Sequence, residues 1–156
     1  MNRDTIAILI SLFIGFLLTA IPIAEPFHDF YPVWIIPILF YWLTAAPGVT
    51  GLWTAWLSGL VLDILFNSLF AAHALALLII VAFFGKITKQ FSFFSGLQQM
   101  FVVFLFTLIY LSILTGIQCI THEPITFTVW PAGTTALVWP ISTVILRRYH
   151  QRRYSR

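Results

Sequence analysis

Asp63 and His73 are the residues of this chain whose types and spacing could do chemistry. Asp63 is the one acid inside an apolar run, Leu52 to Leu65, and His73 follows a break at Asn67-Ser68. A charge in hydrocarbon costs at least about 2.5 kcal/mol on the most lenient scale, so Asp63 needs a partner or a neutralising proton. Asn67, one helical turn on, and His73, at the start of the next apolar segment, are the candidates. An acid and an imidazole at similar depth could relay a proton or form a catalytic pair. They could also be a polar clamp that fixes two helices to each other. With no nucleophile, second acid or phosphate-binding motif beside them, the clamp is the preferred reading, no catalytic residue is assigned, and the chain is read as a non-enzyme.

Two further sets are weaker. Glu25, His28, Asp29, His122 and Glu123 could converge as metal ligands, but two adjacent pairs on different loops have no specific ligand spacing, and solvated loop residues are the default. No metal and no cofactor is therefore assigned. A lone cysteine, Cys119, excludes an intrachain disulfide and reads as a small buried filler.

The elements that position these residues must sit in lipid. Of 156 residues, 60% are hydrophobic and 8% charged, with a mean hydropathy of +0.98. An ordinary soluble domain is roughly 25% charged, so this chain lacks the polar surface for an aqueous exterior, which excludes a soluble enzyme and a disordered tail. A net charge of +3 could suggest nucleic acid, but six of the eight Lys and Arg residues are Arg3 and the five arginines of 147–156. That distribution reports membrane topology and implies no nucleic-acid partner.

A hydrocarbon core of about 30 Å takes roughly 20 helical residues, and the uncharged stretches divide into six spans: about 5–23, 29–46, 49–66, 70–85, 97–120 and 125–146, followed by a basic tail, 147–156. The stretch from Val49 to Gly85 is too long for one helix and reads as a hairpin broken near Asn67-Ser68. Arg3 before an apolar run also resembles a signal peptide, but the uncharged stretch is long and no small-x-small cleavage site follows it. Six spans with both termini cytoplasmic put Arg3, Lys86, Lys89, Arg147, Arg148, Arg152, Arg153 and Arg156 on one side, and Glu25, Asp29 and Glu123 on the other. The tail arginines serve first as a topology anchor and then as a patch for anionic lipids. Phe27, Phe30, Tyr31 and Trp34 are expected at the outer interface, and Tyr41, Trp42 and Trp53 at the inner one.

Small residues mark the faces where membrane helices pack. Gly51, Ala55 and Gly59 recur every four residues, and the next member of that series is Asp63, so Asp63 should point toward protein. Ala7, Ser11, Gly15 and Thr19 form a second stripe. Pro37, midway along the second span, predicts a kink.

The middle of the chain resembles a known family. Tyr31-Pro32-Val33-Trp34, Phe40-Tyr41-Trp42, then Trp56-Leu57-Ser58-Gly59-Leu60-Val61-Leu62-Asp63, and finally His73-Ala74-Leu75 resemble, in order and spacing, the MreD family of bacterial rod shape-determining proteins. The resemblance implies an all-α, polytopic protein of the bacterial inner membrane that acts as a scaffold. Such proteins associate with the bitopic protein MreC and help couple MreB filaments to peptidoglycan synthesis by a SEDS-family glycosyltransferase and a class B penicillin-binding transpeptidase. Trp42, Trp56, Gly59, Asp63 and His73 match the family pattern and carry over as structural or interaction residues. Asn67, where glycine is expected, and Ala71-Ala72 before the histidine depart from it.

The fold implied is similar to the membrane substrate-binding subunit of energy-coupling-factor transporters, which gives a rival function. A subunit of that kind would bind a small molecule in an outward-facing pocket and dock on a coupling protein through small residues of its first helix. The Ala7-Ser11-Gly15-Thr19 stripe suits that docking, but few polar groups, chiefly Asp63, His73 and Gln118, are available to hold a ligand.

Overall fold

Proline, glycine and left-handed residues set the ends of the helices. The computed structural model describes residues 3–22, 30–68, 71–121 and 128–154, and the side chains of all of these except residues 3 and 149–154. The described residues form six helices and no strand: α1 (Arg3–Ala20), α2 (Ile35–Ala45), α3 (Leu52–Leu65), α4 (Ala72–Phe91), α5 (Gly96–Thr121) and α6 (Trp130–Tyr154). Two of them, α4 with 20 residues and α5 with 26, are long and apolar enough to cross a membrane.

α2 is much shorter than the expected span, with 11 residues, a rise of about 17 Å. Prolines explain both ends. Pro37 lies in the first turn, where its missing N–H would have no intrahelical acceptor. It therefore helps to start the helix, and the expected mid-helix kink does not apply. Ala46, just before Pro47, leaves the helical region at φ −140° and ψ 63°, because a following proline disfavours the helical conformation. The open end is covered by Thr50, whose hydroxyl lies 2.7 Å from the Trp42 carbonyl and 2.6 Å from that of Ala46. The proline inside a helix is Pro140, in α6, where it cannot donate to the carbonyl four residues back.

α3 starts at Gly51, whose N–H donates to the Thr54 hydroxyl at 3.0 Å, and ends at Asn67, which takes the left-handed conformation with φ 50°. α3 packs most extensively on α4, α5 on α6 and on α4, while α2 touches α1, α4, α5 and α6. α2 is thus the central helix: Ile35, Ile36, Leu39, Phe40 and Trp42 are fully buried.

An aromatic cluster locks α2 to α4 and α5. Phe40 and Phe84 stack at 3.8 Å, and Phe106 meets both edge-on at 5.5 and 5.6 Å. The small stripe of α1 faces inward. Trp42 Nε1 donates to the buried Ser11 hydroxyl at 2.7 Å, and a Cβ on Gly15 would press on the side-chain tips of Ile38 and Ile35.

Two placements differ from expectation. Trp42 is a core residue rather than an interfacial ring, because its indole N–H finds its partner on α1. Cys119 is exposed, not a buried filler, because it falls on the outward face of α5. Trp53 is 76% exposed. Large apolar side chains cover the outside, including Phe13 and Leu17 on α1 and Phe101, Leu105 and Ile109 along one face of α5.

Candidate functional site

The closest helix contact positions the Asp63 site. A Cβ built on Gly59 would overlap the backbone of Ala74 and His73, so only glycine lets α3 and α4 approach this closely. One turn further along the same face, Asp63 meets the first turn of α4. The N-terminal N–H groups of a helix lack intrahelical acceptors, and a side-chain oxygen of the N-cap residue commonly fills that role. Here the N-cap residue is Ala71, in the left-handed conformation with φ 53°, and it has no oxygen to offer.

Asp63 supplies the cap from the neighbouring helix. Its Oδ1 accepts from the His73 N–H at 2.8 Å and its Oδ2 from the Ala74 N–H at 3.1 Å. The Ser68 hydroxyl donates to Oδ1 at 2.5 Å, and His73 Nδ1 lies 3.0 Å from the same oxygen. Four donors face the carboxylate, the complement an ionised carboxylate can use, and the positive end of the α4 dipole adds to the fit. The Ser68 N–H also donates to the Asp63 carbonyl at 2.9 Å, closing the turn. Phe66 stacks on the His73 imidazole at 5.2 Å, and Tyr110 approaches it edge-on at 6.2 Å.

Asp63, His73 and Gly59 therefore come together as one clamp across α3 and α4. Asn67 is not the expected partner; Ser68, which the sequence did not single out, takes that place, while Asn67 makes the turn. Ser68, His73 and Asp63 do not form a nucleophilic triad. A triad needs serine on one imidazole nitrogen and the acid on the other, whereas here both crowd Nδ1, with the Ser68 hydroxyl 3.3 Å from it.

A cavity of about 1080 Å³ adjoins the clamp, lined from all six helices by residues that include Thr19, Ile35, Leu62, His73, Tyr110 and Pro131. Asn67, Ser68 and Gln118 also line it, and among the described residues no Lys or Arg does.

The other candidates lie apart. Trp42 is buried between α1 and α2. Trp56 is 38% exposed and packs edge-on against Trp53 at 6.0 Å. Arg147 and Arg148 are exposed. Arg152 and Arg153 fall in α6 with side chains outside the described residues, and Arg156 lies outside them altogether. Glu25, His28, Asp29, His122, Glu123 and Phe27 also lie outside them. Among the described residues no group of three or more His, Cys, Asp or Glu side chains gathers.

The far end of α4 carries a second clamp that sequence reasoning missed. Gln99 of α5 donates through Nε2 to the carbonyls of Phe91 and Phe94 at 3.3 and 3.2 Å, and its Oε1 accepts from Trp139 Nε1 of α6 at 3.1 Å. A pair of amides, Gln98-Gln99, near the start of an apolar span was the signal available. A family model described as rod shape-determining protein MreD matches residues 3–149. No solved structure matches the chain.

Proposed function

The chain belongs to the rod shape-determining protein MreD family, and on that premise we propose that it is a non-enzymatic scaffold of the cell-elongation machinery in the bacterial inner membrane. In this reading the six helices span the membrane with both termini in the cytoplasm. The chain links MreC and cytoplasmic MreB filaments to a SEDS-family glycosyltransferase and a class B penicillin-binding transpeptidase. Arg147, Arg148, Arg152, Arg153 and Arg156 anchor the cytoplasmic ends against anionic lipid headgroups. The exposed apolar faces of α1 and α5 meet lipid or a partner's transmembrane helix.

The observation that carries this reading is the family match over nearly the whole chain, 3–149. The site is consistent with it: the Asp63 carboxylate and the backbone N–H and Nδ1 of His73 are engaged in holding two helices together. The rival reading, a ligand-binding transporter subunit, loses its docking surface. Ser11 and Gly15 of the first helix are covered by Trp42, Ile35 and Ile38 of the same chain.

A pull-down from native membranes tests the proposal. Recovery of MreC with wall synthases is the expected result; recovery of an ATPase pair with a coupling protein and no wall enzyme overturns it. Orientation is tested separately by a reporter after Arg156, which should be active only as a cytoplasmic probe.

A further inference from the structure

The cavity beside the clamp has the chemistry of a binding site. Its volume of about 1080 Å³ is slightly above the roughly 300–1,000 Å³ usual for small-molecule sites. The carboxamides of Asn67 and Gln118 and Nε2 of His73 take part in no hydrogen bond among the described residues, and none of them is a buried orphan. With Nδ1 turned to the Asp63 carboxylate, Nε2 is the ring nitrogen left unengaged, an acceptor in the neutral tautomer. The two amides offer donors and acceptors together. Among the described residues no Lys or Arg lines the wall to offer an anion a fixed counter-charge, and the Asp63 carboxylate already has its four donors. Leu65, Leu114 and Ile117 supply an apolar wall beside these groups.

We propose that this cavity binds an uncharged amphiphile with a hydroxyl-bearing head. Asn67, His73 and Gln118 hold the head through hydrogen bonds, and the alkyl part lies against Leu65, Leu114 and Ile117. Hydroxyls match the lining because each can donate to Nε2 or an amide oxygen while accepting from an amide N–H. The inference is independent of which proteins the chain assembles with.

The test uses the full chain in lipid nanodiscs, irradiated with a photoactivatable alkyl glucoside and mapped by mass spectrometry. Labelling should concentrate on the cavity segments of α5 and the α3–α4 turn, and unlabelled alkyl glucoside should compete with it. Gln118→Leu, similar in size but without the amide, should weaken that competition roughly tenfold. Thr115→Trp, which fills the cavity, should abolish the labelling, and Leu137→Ala, on the exposed face of α6, should leave it unchanged. Thermal melts establish that each variant is folded; if Thr115→Trp is not, Gln118→Leu decides. Labelling spread along Phe101 and Leu105 and indifferent to Gln118→Leu means adventitious partition only and overturns the proposal. Equal or stronger labelling by the matched alkyl phosphate or alkyltrimethylammonium probe also overturns it.

Discussion

The two ends of α4 solve one problem with opposite chemistry. At each end backbone groups lack intrahelical partners, and a side chain from a neighbouring helix supplies them. At the N-terminus a carboxylate from α3 accepts from two N–H groups, with Ser68 and His73 completing its shell. At the C-terminal end a neutral carboxamide from α5 donates to two carbonyls, with Trp139 completing its shell. The signs suit the helix dipole, negative at the N-terminus and neutral at the negative C-terminus. The settings differ as well. The Asp63 clamp borders the cavity, whereas the Gln99 clamp sits against the ring cluster of Phe91, Phe84 and Trp139. A cap supplied by a neighbouring helix satisfies the backbone and fixes helix register at once, so losing it should disturb packing as well as local order.

The comparison breaks most completely at Gly59. Gly59→Leu drives a side chain into the Ala74 backbone, which separates α3 from α4 and strands every donor that Asp63 now serves. Overpacking alone costs about 1–3 kcal/mol, and the lost clamp adds to it, so no folded protein should be recovered by size-exclusion chromatography. Gly85→Leu is the matched control, since a Cβ there meets nothing within 4 Å.

Next in size is the charged clamp itself. Asp63→Leu removes the acceptor and leaves two N–H groups, a hydroxyl and an imidazole unserved, a loss of at least about 3 kcal/mol at about 1–3 kcal/mol for each buried donor left unsatisfied. Asp63→Asn keeps one oxygen and nearly the same shape, and should retain most of the thermal stability and rod-shape function. Equal loss of function in both variants, with stability retained, would favour proton chemistry over a clamp.

The comparison also separates what one chain's sequence can reveal from what it cannot. The four-residue series Gly51, Ala55, Gly59, Asp63 exposes the packed face of α3, because a helix period is a local property. The turn at Asn67-Ser68 was legible for the same reason. Ser68 as the donor, Gln99 as a cap and Ser11 as the partner of Trp42 were not, since each depends on the relative register of two helices. Cys119 and Pro37 failed in another way. Composition suggested a buried thiol and span length a kinked helix, but the rotation of α5 and the late start of α2 decided both.

At the neutral end the effects should be smaller. Gln99→Leu leaves the Phe94 carbonyl and the Trp139 N–H without this partner, while the Phe91 carbonyl keeps the Phe94 N–H, a loss of about 1–3 kcal/mol, read as a lower melting temperature. Gln99→Glu should be worse than Gln99→Leu, because an ionised carboxylate cannot donate to carbonyls and places a negative charge at the negative end of the helix. That order inverts the one at Asp63, where the polar replacement is the milder. A Gln99→Glu variant as stable as the parent would remove the electrostatic half of the comparison.

The smallest effects should have the opposite sign. Asn67 and Ala71 flank the hairpin in the left-handed conformation, with φ 50° and 53°, a region that costs an L-residue roughly 1–2 kcal/mol and asparagine less. Ala71→Gly should therefore raise stability, by up to about 1 kcal/mol after the added freedom of the unfolded chain is subtracted. Asn67→Gly, which restores the residue expected from the family pattern, should change it by only a few tenths of a kcal/mol. Paired melting curves of the two variants check the order. If Ala71→Gly were destabilising, Ala71 would not be strained, and Asp63 would be doing more than standing in for a cap that Ala71 cannot provide.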